Sequence, residues 1–207
     1  MILSDMTLWL SLTYSFSLNI LIAISAMTIG FPVGALLSRG TNHTQTPIKW
    51  LAKGAQSLLC NVPSFVMLFY LALIVPSRWE MMGFEMYVPA LGKAIIALAI
   101  PVMGYSCDLA TQKRTSGKSF SLSAVNQFFL VILMASTTAS AIGVDEILAT
   151  ANSYIASSGQ ADAILPIYTM VACFFIVSGA LCQSFLKTFI TLTEKRQNRH
   201  VEAGDES

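Results

Sequence analysis

Charged residues are scarce in this sequence: Asp, Glu, Lys and Arg make up 11% of its 207 residues, whereas soluble domains carry about a quarter. Hydrophobic residues make up 55%, and the mean hydropathy is +0.66. In water, a chain of this composition would expose a large apolar surface, which excludes an ordinary soluble domain. The net charge is only +1, and no basic run with interleaved aromatic residues indicates binding to nucleic acid.

Patterns that indicate catalysis or metal binding are also missing. The sequence has no Gly-rich phosphate loop, no paired-carboxylate motif and no Ser or Cys with a base at a suggestive spacing. Its four cysteines lie singly inside apolar stretches, without the close pairs of a zinc site. His43 and His200 lie in polar connecting or tail sequence. We therefore expect no enzyme activity, no metal and no other cofactor in this chain.

What the sequence does contain is a series of long uncharged stretches. About 20 apolar residues form a helix that crosses the bilayer core, which is about 30 Å thick. We predict an all-α integral membrane protein with five transmembrane helices in one domain, residues 1–190. The third span includes Lys93, which we expect to extend to the interface. The predicted spans cover about residues 8–38, 54–76, 89–109, 120–142 and 164–188, and a polar cytoplasmic tail, expected to be frayed, covers 191–207.

The distribution of Lys and Arg predicts the orientation, because positive residues are retained on the cytoplasmic side. With five spans, ten of the twelve basic residues fall on one side: Arg39, Lys49, Lys53, Lys113, Arg114, Lys118, Lys187, Lys195, Arg196 and Arg199. That side is predicted to be cytoplasmic. The N-terminus then lies outside and the C-terminus in the cytoplasm.

One connection on the predicted outer side has a helical pattern of its own. Between spans four and five, apolar residues recur on one face at Ile147, Leu148, Ala151, Tyr154 and Ile155, which predicts a short amphipathic periplasmic helix. Acidic side chains at its start favour the positive end of the helix dipole. The candidate outer-gate residues there are Gly143, Asp145 and Glu146. A peripheral helix that packs on the spans without gating anything fits the pattern equally well.

The predicted spans carry polar but mostly uncharged residues. Such side chains suit either helix contacts or a path for a polar solute. The substrate-path candidates are Asn61, Tyr70, Tyr105, Ser136, Thr137 and Thr138. Asp108, near the cytoplasmic end of the third span, is an ionisable candidate by default. Its simplest explanation is pairing with Lys113 and Arg114, one turn further along.

Three segments, in this order, resemble the membrane (permease) subunits of bacterial polar amino acid ABC importers, of the histidine, glutamine and arginine type. They are CNVPSFVMLFYLALIVP (60–76), GYSCDLATQKR (104–114) and ASTTASAIGVDEILATANSYIASS (135–158). The residues that match the family's motifs are Pro63, Tyr105, Asp108, Ile142, Gly143, Glu146 and Leu148. This likeness extends over nearly the whole chain.

The chain also departs from the family's pattern. Cys60, Asn61 and Thr111 stand where the family has Arg, Gly and Arg, and Met134-Ala135 replaces a Lys-Asp pair. The connection between spans three and four, TQKRTSGKSFSLSAV, is shortened and lacks the Glu-Ala-Ala signature of the coupling helices that contact the ATPase. The candidates that remain for this coupling loop are Asp108, Lys113, Arg114 and Lys118.

The resemblance implies a multi-pass protein of the bacterial inner (cytoplasmic) membrane. It implies a permease-type subunit of an ABC importer for polar amino acids or similar small solutes, with ATP hydrolysis confined to separate cytoplasmic ATPase subunits. The other expected partners are a second permease subunit that carries the coupling helices, a periplasmic or lipid-anchored solute-binding protein, and membrane lipid. The departures leave an alternative open: a degenerate permease homologue that no longer transports and serves as a membrane scaffold or sensor.

Overall fold

The computed structural model describes residues 6–41, 46–81, 84–117 and 121–205. Within these ranges the chain is helical apart from one short hairpin. The elements are α1 (Met6–Thr41), α2 (Thr46–Asn61), α3 (Ser64–Ile74), β1 (Arg78–Met81), β2 (Phe84–Tyr87), α4 (Ala90–Ser116), α5 (Leu122–Ala135), α6 (Ile147–Ser158) and α7 (Ile164–Asp205). Two 3-10 segments, Ser136–Ile142 and Ala161–Ala163, follow α5 and precede α7.

Helix α1 is the central helix of the bundle. Its 36 residues extend over about 54 Å. Its buried residues recur every three or four positions and form one stripe: Leu8, Leu12, Ser15, Phe16, Asn19, Ile22, Ala23, Ala26, Gly30, Gly34, Ser38 and Thr41. Most members of the stripe are small, so a neighbouring backbone can approach closely.

Helix α4 occupies most of that stripe, and glycine makes the contact possible. A Cβ built on Gly30 would lie 2.5 Å from the Val102 Cβ, and one on Gly34 would overlap the Met103 carbonyl oxygen. The Ser106 hydroxyl donates to the Phe31 carbonyl at 2.7 Å in the same contact. These glycines serve close helix packing, and α1 continues through Pro32 as one helix.

The second predicted span is divided in two. Helices α2 and α3 meet at an angle of 101°. Pro63, the N-cap residue of α3, lies at the bend, where a residue without an N–H favours a break. The segment from 54 to 76 is therefore not one straight helix. Within the described residues, four helices are long and apolar enough to cross a membrane, or five spans when the bent pair counts as one.

The other predicted spans coincide broadly with α1, α4, α5 with its 3-10 extension, and α7. Between the bent pair and α4, β1 pairs antiparallel with β2, an addition that the sequence analysis does not predict. Helix α7 has 42 residues and continues to Asp205, so the backbone of the predicted frayed tail is helical over most of its length. Its Glu, Lys, Arg and Gln residues are good helix formers.

Basic residues collect at one end of this bundle. Arg39 lies near the end of α1, Lys113 and Arg114 lie in the last turns of α4, and Lys49 and Lys53 lie on α2. The ends of α1 and α4 meet, since the hydroxyls of Thr41 and Thr111 lie 3.4 Å apart. We call this the basic end. Helix α6 and the hairpin lie at the opposite end.

Candidate functional site

The most highly organised polar group in the described chain is the carboxylate of Glu146, which is 0% exposed. Glu146 is the N-cap residue of α6. One oxygen accepts from the backbone N–H of Ala149 and the other from that of Leu148, both at 3.0 Å. The carboxylate thus satisfies two of the N–H groups that a helix start leaves without partners.

Asn19 of α1 extends this group across the bundle. Its amide nitrogen donates to Glu146 at 2.9 Å and to the Ser136 hydroxyl at 2.8 Å, while its oxygen accepts from the backbone N–H of Ile147 at 3.1 Å. The Ser136 hydroxyl in turn donates to the Leu133 carbonyl at 2.7 Å. Asn19, Ser136 and Glu146, hereafter the polar junction, therefore join α1, the end of α5 and the start of α6.

The electrostatics of the polar junction depend on two opposing effects. Burial raises the pKa of Glu146 because it removes water from the charged form, and this is the larger effect. The N–H groups of Leu148 and Ala149 and the amide of Asn19 lower the pKa because they stabilise the carboxylate. Since the net shift is upward, the junction holds a carboxyl group that takes up a proton more readily than a solvated glutamate.

This shift predicts a pH dependence of stability. The folded chain binds the proton of Glu146 more tightly than the unfolded chain, so the contribution of Glu146 to stability is fully present at low pH and is lost as pH rises from the unfolded pKa, about 4.5, through the raised folded pKa. We expect E146Q to abolish this contribution. Thermal unfolding in detergent, compared between wild type and E146Q from pH 4.5 to 7.5, measures it. A difference between the two proteins that stays constant over this range would contradict the prediction.

The three outer-gate candidates have different positions. Gly143 ends the 3-10 segment with φ of +87°, a conformation that side chains disfavour. Asp145 is exposed and Glu146 is buried. Ser15 of α1 also lies 2.5 Å from Thr150 of α6, hydroxyl to hydroxyl. Helix α6 is therefore attached to α1 at two points, and its position agrees with the helix that the sequence predicts between the last two spans.

The substrate-path candidates are only partly brought together. Ser136 belongs to the polar junction, whereas the hydroxyls of Thr137 and Thr138 donate to the carbonyls of Met134 and Ala135 at the end of α5, three positions earlier. The Asn61 amide likewise donates to the Ser57 carbonyl one turn earlier. Among the described residues, no hydrogen bond joins these three to the polar junction.

The two tyrosines among these candidates also differ. Tyr105 stacks on Phe128 at 3.9 Å and meets Phe31 edge to face at 6.4 Å, both between ring centroids. This aromatic cluster joins α4, α5 and α1. Tyr70, in contrast, is 57% exposed on α3.

The coupling-loop candidates lie at the basic end. The carboxylate of Asp108 accepts hydrogen bonds from the Gln56 amide and, at 3.5 Å, from the Cys60 thiol. Its partners in the described chain thus belong to α2, and the expected pairing with Lys113 and Arg114 is not observed there. Arg114 donates to the Ser38 carbonyl at 3.4 Å and Lys113 is exposed. Lys118 lies outside the described residues.

Two residues with buried polar contacts, Asn19 and Lys93, are not among the candidate site residues from the sequence. The sequence places Asn19 among the polar residues of the spans but does not single it out as a site candidate, because its partners come from segments more than 100 positions away. Lys93, expected at the interface, is only 6% exposed; its ammonium donates to the Ala72 carbonyl at 3.4 Å and to the Ser77 hydroxyl at 3.3 Å.

Comparison with known proteins identifies one similar structure, the crystal structure of an amino acid ABC transporter with histidines. The two chains superpose with a TM-score of 0.71 at 20% identity, over 90% of this chain and 96% of the other. This protein has an amino acid ABC transporter-like fold. With its long apolar helices it is a multi-pass membrane protein. No protein-family model matches the chain, and no curated protein sequence does either.

Proposed function

We propose that this chain is a permease-type subunit of an ABC importer for polar amino acids or similar small solutes. The observation that carries the proposal is the fold, which matches an amino acid ABC transporter over nearly the full length of both chains. The three sequence segments that resemble polar amino acid permeases support it. The collection of basic residues at one end supports an orientation with that end in the cytoplasm and the N-terminus outside, in a bacterial inner membrane.

The basic end includes the connection through which an ATPase subunit would contact this chain. Helix α4 ends at Ser116 and α5 begins at Leu122, and the connecting residues, 117–121, are too few for a pair of docking helices at about 1.5 Å per residue. We infer that a second permease chain supplies the coupling helices. Cytoplasmic ATPase subunits and an external solute-binding protein complete the proposed complex, and this chain hydrolyses nothing itself.

The polar junction gives the chain a specific part in this mechanism. Because Glu146 and Asn19 connect α6 to α1, a movement of α1 is transmitted to the outer helix through hydrogen bonds. Alternating access requires that the outer and inner ends of a path open in turn. In this proposal the junction keeps α6 in register with the spans while they move, and the exposed Asp145 faces the outer solution beside it.

A second function is favoured by a separate set of observations. The short connection after α4 removes a direct docking element, and Asn61, Thr137 and Thr138 already bond to backbone carbonyls three or four positions earlier. A chain that retains the permease fold without transporting would serve as a membrane scaffold or sensor for its partners.

Reconstitution separates the two functions. The complex purified with this chain, and the same complex assembled without it, are placed in vesicles that contain ATP, and uptake of labelled polar amino acids is measured. An importer subunit predicts that uptake falls at least tenfold without this chain, while a scaffold predicts unchanged uptake. A complex with inactivated ATPase subunits provides the background. Purification with neither an ATPase nor a second permease chain would contradict the importer proposal.

A further inference from the structure

A polar cavity of about 280 Å³ lies between α5 and α7, near the start of α5 at the basic end. Each helix contributes one residue together with those three and four positions further along, and residues with this spacing share one face of a helix. None of them is a candidate for the solute path or the coupling loop. The lining residues are Ser123, Asn126 and Gln127 of α5, and Gln183, Leu186 and Lys187 of α7.

The polar side chains of this lining have unused hydrogen-bonding groups. In the part of the chain that the structure describes, they make no hydrogen bond or ion pair with protein. Asn126 is half-buried, whereas Gln127 and Gln183 are exposed. Amides without partners are costly next to hydrocarbon, because lipid chains offer no hydrogen bonds. The cavity therefore offers a set of donors and acceptors to a ligand.

The polar groups are arranged by depth in the membrane. Ser123 is the second residue of the apolar segment that contains α5, and Lys187 is the second to last residue of the one that contains α7. Both therefore lie at the boundary between hydrocarbon and water. Gln127 and Gln183 are each four residues further in, which is about 6 Å deeper on a helix. Charge and hydroxyl thus lie at the boundary, and neutral amides lie beneath them.

Apolar surface continues from the cavity into the membrane. A Cβ built on Gly179 of α7 would lie 3.8 Å from the Leu130 Cδ1 of α5, so the two helices meet just below the amides. Met134 on α5 and Ile176 on α7 lie seven residues deeper than the two glutamines, nearly two full turns, and so share their faces. These two side chains are 53% and 69% exposed. Both lining faces thus become apolar with depth.

This order of groups corresponds to the order of groups in a phospholipid. A phospholipid carries its phosphate outermost, its ester carbonyls beneath the phosphate and its acyl chains below them. Lys187 is the one charged residue in the described lining, and an ammonium group favours phosphate. A partner helix fits less well, since one helical turn about 10 Å across fills about 420 Å³, more than the 280 Å³ of the cavity.

We propose that the cavity between α5 and α7 is a phospholipid-binding site. The Lys187 ammonium and the Ser123 hydroxyl bind the phosphate. The amides of Asn126, Gln127 and Gln183 donate to the ester carbonyls, and the acyl chains follow the apolar faces of the two helices. The site does not rest on the transport proposal, and lipid bound there bridges α5 and α7 at the basic end.

Ester and ether lipids separate the two parts of the site. The full chain, purified in detergent and stripped of lipid, is titrated with phosphatidylglycerol or with its ether-linked analogue, which lacks both carbonyl oxygens, and native mass spectrometry gives the affinity for the first lipid. We expect the wild type to bind the ester lipid at least about 5-fold more tightly. Q127L/Q183L should lose this discrimination, while K187Q should weaken both lipids about 5-fold and keep it.

Two matched variants serve as controls. Q112L and K53Q each remove an exposed amide or an exposed lysine from the basic end but outside the cavity, so both should bind as the wild type does. Far-ultraviolet circular dichroism verifies that every variant retains its helices.

Several outcomes would overturn the proposal. Equal affinity of the wild type for the two lipids would do so, as would discrimination that persists in Q127L/Q183L. Displacement of the lipid by millimolar L-glutamine or L-arginine would assign the cavity to a transported solute instead. Loss of the lipid when a second permease chain assembles with this one would assign the surface to that chain.

Discussion

Replacing Gly34 with valine is expected to prevent α1 and α4 from packing in their native geometry. A Cβ at this position overlaps the Met103 carbonyl oxygen and approaches the Ser106 Cβ to 2.8 Å. The obstacle is backbone, which cannot move aside as a flexible side chain would. Overpacking typically costs 1–3 kcal/mol and sometimes more; we expect about 3 kcal/mol or more here, with a lower Tm in detergent and loss of the monodisperse species in size-exclusion chromatography.

The chain offers a matched control for this substitution. Gly54 also lies inside a helix, and a Cβ built on it meets nothing within 4 Å. G54V should therefore unfold close to the wild-type temperature and elute as the wild type does. Equal behaviour of G34V and wild type would show that the close contact between α1 and α4 does not exist in the membrane protein.

The second large effect is expected for Glu146→Ala. The substitution removes the N-cap of α6 and leaves the N–H groups of Leu148 and Ala149 and the Asn19 amide without their carboxylate partner. Loss of a cap, which already includes the two N–H groups, costs about 1 kcal/mol, and the buried Asn19 amide that loses its carboxylate partner adds about 1–3 kcal/mol. We expect a loss of about 2–4 kcal/mol, measured as a lower midpoint of thermal unfolding in detergent.

Two further proteins test whether this effect belongs to the polar junction. Asp145 is the neighbouring acidic residue and is exposed, so D145A should change the unfolding midpoint little. Combining E146A with N19A should cost less than the sum of the single losses, because both remove the same hydrogen bond; coupled neighbours typically show 0.5–3 kcal/mol of interaction energy. Strict additivity would mean that Asn19 and Glu146 act independently.

The stability effect and the pH effect of Glu146 have one physical origin. Burial makes the ionised carboxylate costly, and the N–H donors of α6 and Asn19 offset part of that cost. The stability of the buried carboxylate therefore changes when Glu146 is protonated or when its hydrogen-bond donors move. The polar junction is for this reason the point at which α1 is joined by hydrogen bonds to the start of α6.

Much of the architecture could be predicted from the sequence because it depends on local properties. A charge-free stretch of sufficient length predicts a membrane helix wherever it occurs, since the bilayer penalises charge in the same way for every segment. Helix α6 and its acidic start also follow from spacing alone. The bend at Pro63 is harder to predict, because a proline is equally compatible with a kinked span and with two separate helices.

Contacts between distant segments account for what could not be predicted. Asp108 is followed five and six positions later by Lys113 and Arg114, and this nearness in sequence suggests an ion pair, yet its described partners lie on α2. Nothing in the sequence around Gly30 and Gly34 indicates their role, and only the position of α4 shows that they serve close packing. In both cases the deciding atom belongs to another helix.

The sequence by itself determined that this chain is a helical membrane protein, which stretches are apolar enough to enter a membrane, and where along the chain the basic residues collect. The first two follow from the free energy of moving one segment into lipid, which depends on that segment alone, and the third follows from the positions of Lys and Arg between the apolar segments. Only the tertiary structure decided that Asn19, Ser136 and Glu146 meet, that Gln56 of α2 contacts Asp108 of α4, and that glycines allow α1 to pack closely against α4. These arrangements depend on packing and hydrogen bonds between segments far apart in the chain, and local sequence spacing does not predict such contacts.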